Sequence, residues 1–219
     1  MNIFDHVVRF FQGGGLMMYP IAAVLILGIA IAIERWIYLT HAALRNRGLW
    51  SQIAPLLAQG NFRQAVQLTS RSRAAIGQIL SYGLARVTSA RRRDDIEKAM
   101  EESLMDVVPR LEKRTHYIAT FANVATLLGL LGTVIGLINA FAAVATVNPA
   151  EKANLLSASI SVAMNCTAFG LITAVPLLLT HALLQTKTTE LIDSLEMASV
   201  KFLNAVTERA VPERPPQAA

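Results

Sequence analysis

Thr126-Leu127-Leu128-Gly129-Leu130-Leu131-Gly132-Thr133-Val134-Ile135-Gly136 and Ala163-Met164-Asn165-Cys166-Thr167-Ala168-Phe169-Gly170-Leu171, the second followed by Pro176, decide the fold of this 219-residue chain. The two segments lie in long runs without Asp, Glu, Lys or Arg, one between Arg114 and Glu151 and the other between Lys152 and Lys187. A helix that crosses a bilayer needs about 20 mostly apolar residues, and each run exceeds that. Only Asn148-Pro149-Ala150-Glu151 separates them. So short a turn forces the two helices to pack as an antiparallel hairpin.

The small and polar residues of these runs fall on faces. At 100° per residue Thr126 and Thr133 lie about 20° apart, with Gly129 and Gly136 flanking Thr133 within roughly 60°. Gly132 adds a third small residue between them. In the second run Ala163, Thr167, Gly170 and Ala174 share a face by the same arithmetic. Small residues let membrane helices approach closely, and a threonine hydroxyl can bond its own preceding turn. On that reading the stripes only pack. On the other, they line a pore or a partner site, where hydroxyls offer hydrogen bonds to water or to a proton carrier. Spacing alone leaves both open.

Composition agrees with a membrane protein. Hydrophobic residues make up 53% of the chain and mean hydropathy is +0.44, well above a soluble globule. The net charge of +5 does not point to nucleic acid, because membrane proteins collect Lys and Arg in cytoplasmic loops. Cys166 is the single cysteine, so no intrachain disulfide can form. His6, His41, His116 and His181 are scattered and lack metal-ligand spacing. No Ser-His-Asp, Cys-His or paired-carboxylate pattern falls in a plausible site. We therefore expect no enzyme activity, no cofactor and no metal.

Outward from the hairpin, the chain divides as follows. Residues 1–15 form an amphipathic segment with Phe4, Val7, Val8 and Phe11 at helical spacing; it lacks a signal-peptide pattern and is expected to stay on the mature protein. Residues 16–39 are a first span, with Pro20 near its start and Trp36 and Tyr38 at its interfacial end. Glu34 is the only acid near this span and reads as an interfacial partner for Arg35, which can snorkel. Residues 40–115 are a polar helical insert holding 13 of the 20 Lys and Arg. Within it, Asn61 can cap a helix carrying Phe62, Ala65, Val66 and Leu68, and Ile76, Ile79, Leu80, Leu84 and Val87 form an apolar face. From Asp94 a helical pattern leads into the second span, 116–147, with Pro109 expected to kink it or remove a hydrogen bond. A turn at 148–154, a third span at 155–185, a helix at 186–210 and a disordered tail at 211–219 complete the chain. Pro176 is expected to bend the third span. The excess of basic residues in the insert and the tail places both inside the cell and the amino terminus outside.

The run Leu128-Gly129-Leu130-Leu131-Gly132-Thr133-Val134-Ile135-Gly136, with Thr167-Ala168-Phe169-Gly170-Leu171 and Pro176, resembles the MotA/TolQ/ExbB proton-channel family, and its ExbB/TolQ-like branch in particular. The resemblance is strongest over 94–197. It implies an all-α membrane protein of three transmembrane helices with long cytoplasmic helical extensions, assembled as a homopentameric ring in the bacterial inner membrane with a periplasmic amino terminus. It also implies a single-span partner of the ExbD/TolR type, held as a dimer in the pore, whose membrane Asp carries the proton. TonB/TolA-like or motility proteins would receive the work. Thr133 and Thr167 match the family's two pore-lining threonines, and Thr126 lies on the same face as Thr133. Gly129, Gly132, Gly136, Ala163, Gly170 and Ala174 would serve helix packing or the pore face.

One departure stands out. ExbB-like relatives often place a Glu five residues before the second threonine, where this chain has Val162. Asn139 and Asn165 are nearby polar groups that read first as interhelical hydrogen bonders. Buried ionisable groups usually mark proton paths in membranes, and the second and third spans have none at depth. If protons move here, the titrating group must come from another chain. The rival reading is a structural membrane scaffold. A solute transporter is disfavoured, because no inverted repeat or pair of broken helices is visible.

Overall fold

The structure, a computed structural model, describes residues 8–11, 13–87, 93–146 and 148–210. The rest of the expected amphipathic segment, the tail at 211–219, and Arg91 and Arg92 lie outside the described residues. Six helices follow a helical turn at residues 8–11. They are α1 (Met18–Gln59), α2 (Phe62–Arg71), α3 (Ala75–Val87), α4 (Arg93–Glu112), α5 (Thr115–Thr146) and α6 (Lys152–Ala210). No strand occurs among the described residues. Helices α1, α4–α5 and α6 contain the three stretches long and apolar enough to cross a membrane. Helix α6 begins at Lys152, inside the expected turn, because Glu151 N–H bonds Asn148 O and Leu155 N–H already bonds Glu151 O.

The chain folds as two units, residues 1–35 with 114–184 and residues 36–113 with the chain from 185 onward. In the first unit, α1 turns inward Met18, Ile21, Gly28, Ala32 and Arg35, at the three- and four-residue spacing of one helix face. This corrects the expectation for Arg35. It sits on the buried stripe and is 3% exposed, so it does not snorkel. Glu34 points the other way and pairs with Arg114, Oε2 to Nη1 at 3.3 Å, not with Arg35. Both members of that pair are about half exposed, so it contributes at most about 1 kcal/mol.

The helical pattern that leads from Asp94 into the second span, with a kink or lost hydrogen bond expected at Pro109, is interrupted at Lys113 and Arg114. The break is not at Pro109. That residue lies exposed inside α4, and its carbonyl still accepts from Lys113 N–H at 3.0 Å. Arg114 instead adopts φ +68°, a left-handed conformation that costs an L-residue about 1–2 kcal/mol. Leu111 and Thr115, both buried, fix the chain on either side of it.

In the second unit, α1 ends in a Schellman turn. Gly60 N–H bonds Leu57 O, Asn61 N–H bonds Leu56 O, and Gly60 takes φ +77° at no side-chain cost. Asn61 then caps α2, its Oδ1 accepting from Gln64 N–H at 3.3 Å, as its position predicts. Helix α3 buries Ile76, Ile79, Leu80 and Leu84. Helix α4 opens on Asp94 and Asp95, acids that its dipole favours, and buries Ile96, Met100, Val107 and Leu111. Leu191, Leu195, Phe202 and Leu203 of α6 complete this core.

Candidate functional site

The hairpin of α5 and α6 is held by backbone brought nearly into contact. A Cβ added at Gly129 would lie 3.3 Å from the Cα atoms of both Gly170 and Thr167. One added at Gly170 would lie 2.8 Å from Ala125 O and 3.0 Å from Gly129 Cα. A side chain at Gly170 would force the backbone apart, and one at Gly129 would fit only if the facing backbone gave by a few tenths of an ångström, so glycine suits both positions. Further along, Gly132 faces the Cys166 side chain and Gly136 faces Ala163. The register is that of an antiparallel pair, since positions advance on α5 as they recede on α6. On α5 the buried ridge runs through Ile118, Ala122, Ala125, Gly129, Gly132 and Ala140. On α6 it runs through Ala163, Cys166, Gly170, Ala174 and Leu177.

The three candidate threonines sit beside this ridge, each half-buried. Thr126 follows Ala125 and Thr133 follows Gly132, so each is turned about 100° from a buried position. Thr167 follows Cys166 in the same way. Gly132 meets Cys166, so in this antiparallel pair Thr133 and Thr167 lie on either side of that contact, offset by about 3 Å along the hairpin. Their hydroxyls differ in use. Thr167 Oγ1 donates across the hairpin to Gly129 O at 2.9 Å. Thr133 Oγ1 donates to Leu130 O of its own turn at 2.6 Å, and Thr126 Oγ1 to Ala122 O at 3.2 Å. Each hydroxyl has spent its proton on a carbonyl, and each oxygen keeps lone pairs that can accept. Such a pair suits water or a protonated carboxyl as donor. To donate to an ionised carboxylate, a hydroxyl must rotate away from a bond worth about 1 kcal/mol.

Pro176 lies inside α6, and its carbonyl accepts from Thr180 Oγ1 at 2.8 Å. Next to it, Leu177 meets Gly28, where an added Cβ would fall 2.8 Å from the leucine methyl. Asn165 Nδ2 donates to Gly13 O at 3.4 Å, and Phe11 stacks edge-on against Phe169 at 5.7 Å. The segment before α1 thus packs on α6, which the hydrophobic spacing of that segment alone did not reveal. Val162, at the position of the family Glu, is exposed on α6.

Two further residues of this unit stand differently from what the sequence suggests. Arg35 is the one buried charged side chain among the described residues. Thr173 is 0% exposed and its hydroxyl has no hydrogen-bond partner among the described residues. Thr173 carries a usable signal in the sequence, since it is three residues from Gly170 on the same face, next to Ala174. No cluster of His, Cys, Asp and Glu suited to a metal occurs among the described residues.

A family model described as the MotA/TolQ/ExbB proton channel family matches residues 71–197, more than half of the chain. Among curated proteins, a biopolymer transport ExbB homolog of Methanothermobacter thermautotrophicus is 27% identical over 199 residues, covering 90% of this chain and 69% of the relative. A biopolymer transport ExbB-like 3 protein of Synechocystis sp. is 25% identical over 169 residues, covering 77% and 80%. The biopolymer transport protein exbB1 of Vibrio cholerae is 28% identical over 169 residues, covering 74% and 72%.

Proposed function

Because this chain belongs to the MotA/TolQ/ExbB proton channel family and is a multi-pass membrane protein, we propose that it is the ring-forming subunit of a proton-driven complex. Five copies enclose a dimer of an ExbD/TolR-like single-span partner. The partner's membrane Asp takes up a proton from one side and releases it to the other. Residues 1–15 face the periplasm, the insert and carboxyl terminus face the cytoplasm, and the complex lies in the inner membrane. Its output is transport, envelope or motility work through a TonB/TolA-like or motility protein.

The observation that carries this reading is the state of the two hydroxyls. Thr133 and Thr167 flank the Gly132–Cys166 contact, in spans free of acids, and both oxygens are left as acceptors. That arrangement favours the protonated Asp over the ionised one, so the guest carboxyl is held neutral while it faces the hairpin. Thr126 extends the same lining. One proton crossing about 150 mV releases about 3.5 kcal/mol, enough to bias a rotation or displacement of the guest.

The test is proton uptake by vesicles containing this chain with its single-span partner. Thr133→Val keeps the shape and removes the oxygen, and lowers flux without loss of assembly; Thr133→Ser restores it. Unchanged flux in Thr133→Val would remove the proposed role. A second reading, a scaffold that conducts nothing, draws support from the Thr167 bond to Gly129 O, which by itself is a packing contact. It predicts no potential-dependent uptake at all on co-reconstitution.

A further inference from the structure

Beyond the hairpin, a cavity of about 420 Å³ lies in the second unit between the continuation of α1, the start of α3 and the continuation of α6. It begins at Leu39, four residues past Arg35, or about 6 Å along the helix. The aromatic pair Trp36 and Tyr38 marks this level as the edge of the apolar zone, where Trp and Tyr prefer to sit. Lys187, the first charge after the long apolar run of α6, lines the cavity too. Its Nζ stands 3.4 Å from the centre of the Trp36 ring. An ammonium over a ring face remains a cation with donors to spare.

Three observations give the cavity a ligand chemistry. It carries two cations, Arg47 and Lys187, and neither is in an ion pair among the described residues. It holds Asn46, which is 4% exposed. Asn46 Oδ1 accepts from Ile76 N–H at 3.2 Å, which fixes the amide orientation, and its Nδ2 is left without a partner among the described residues. A buried donor without an acceptor is costly, and a ligand oxygen would relieve it once a small shift of the neighbouring side chains opens Nδ2, which is closed to solvent here. Finally, the walls are mixed, with Leu44 and Trp50 offering apolar surface beside the charges. The opposing group is Glu190, the one carboxylate among the lining residues.

We infer that this cavity binds the phosphate headgroup of an anionic phospholipid of the adjoining leaflet, with Arg47 and Lys187 on the phosphate, Asn46 Nδ2 donating to it, and Leu44 and Trp50 against the start of the acyl chains. Lipid is favoured over a soluble phosphate by the depth, the aromatic belt and the apolar walls. The site is independent of the proton reading and would stand if that reading fell.

The experiment titrates the full chain in detergent with phosphatidylglycerol or phosphatidylcholine and counts retained lipid by native mass spectrometry. Phosphatidylglycerol is expected to be retained more tightly. Arg47→Gln and Lys187→Gln should each weaken it about tenfold, the loss of one hydrogen bond to a charged group, and leave phosphatidylcholine unchanged. Glu190→Gln, which removes a like charge without touching the cations, should strengthen phosphatidylglycerol binding. Equal retention of the two lipids, or unaltered retention in both cation variants with helix content intact, would overturn the inference. So would displacement of the lipid by millimolar inorganic phosphate, which would make a soluble phosphate the occupant.

Discussion

The two units solve opposite packing problems with one chain. In the first, the α5–α6 contact is made mostly by glycine and alanine, with a few large residues such as Ile118 and Leu177 buried beside it, while many large side chains face outward: Leu127, Ile138, Phe141, Leu179 and Leu183 are all exposed. In the second, large side chains are inside, with Phe202 and Leu195 fully buried beside Ile79 and Leu80, and charges cover the surface. Helix α6 takes part in both. The solvent explains the inversion. In lipid, apolar exteriors cost nothing and helices associate by close van der Waals contact. In water, burying apolar area is the main driving force. Small residues therefore mark the close helix contact of one unit and large ones the core of the other.

This contrast can be broken by substitution. Phe202→Ala should be the most damaging, lowering stability by about 3–5 kcal/mol, read as a lower denaturant midpoint of the full chain. Gly170→Val comes next, at about 1–3 kcal/mol, because its new atoms would meet Ala125 O and Gly129 backbone that cannot retreat. Loss of hairpin packing in that variant should be seen as cross-linking between engineered cysteines on α5 and α6 falling away. Thr167→Val removes the bond to Gly129 O at a cost of about 1 kcal/mol, and Thr167→Ser should recover it. Leu183→Ala, on the outer face of α6, should change stability in a bilayer by less than about 0.5 kcal/mol. If Leu183→Ala proved as damaging as Gly170→Val, the inside-out description of the first unit would be wrong.

Much of this was legible in the sequence, for physical reasons that can be named. The charge-free runs and glycine spacing suffice for the hairpin, since lipid permits few other solutions. Asn61 and the apolar face of α3 were readable because caps and helical periodicity are local, whereas in α2 Val66 is exposed and Thr69 is buried with Ala65. The break at Arg114 was not. Its signal is a backbone conformation that an arginine rarely takes, whereas Pro109 looked like the breaker and removes only one exposed hydrogen bond. The Glu34–Arg114 pair joins residues 80 positions apart, beyond any local pattern. Arg35 was misjudged because its neighbours, not its charge, decide its face. At the candidate site, the sequence placed the threonines on the right helices. It could not say that Thr167 donates across the hairpin while Thr133 donates to its own turn, because that depends on how closely Gly129 and Gly170 meet.

The central claim is that the Thr133 oxygen serves proton transfer and not packing. Potential-driven proton uptake into vesicles holding this chain and its single-span partner, measured with a lumenal pH dye, tests it most directly. The account predicts that Thr133→Val lowers the rate about tenfold, the equivalent of one lost hydrogen bond, with Thr133→Ser near the unaltered rate and the melting midpoint of all three alike. Equal rates for all three proteins would contradict it.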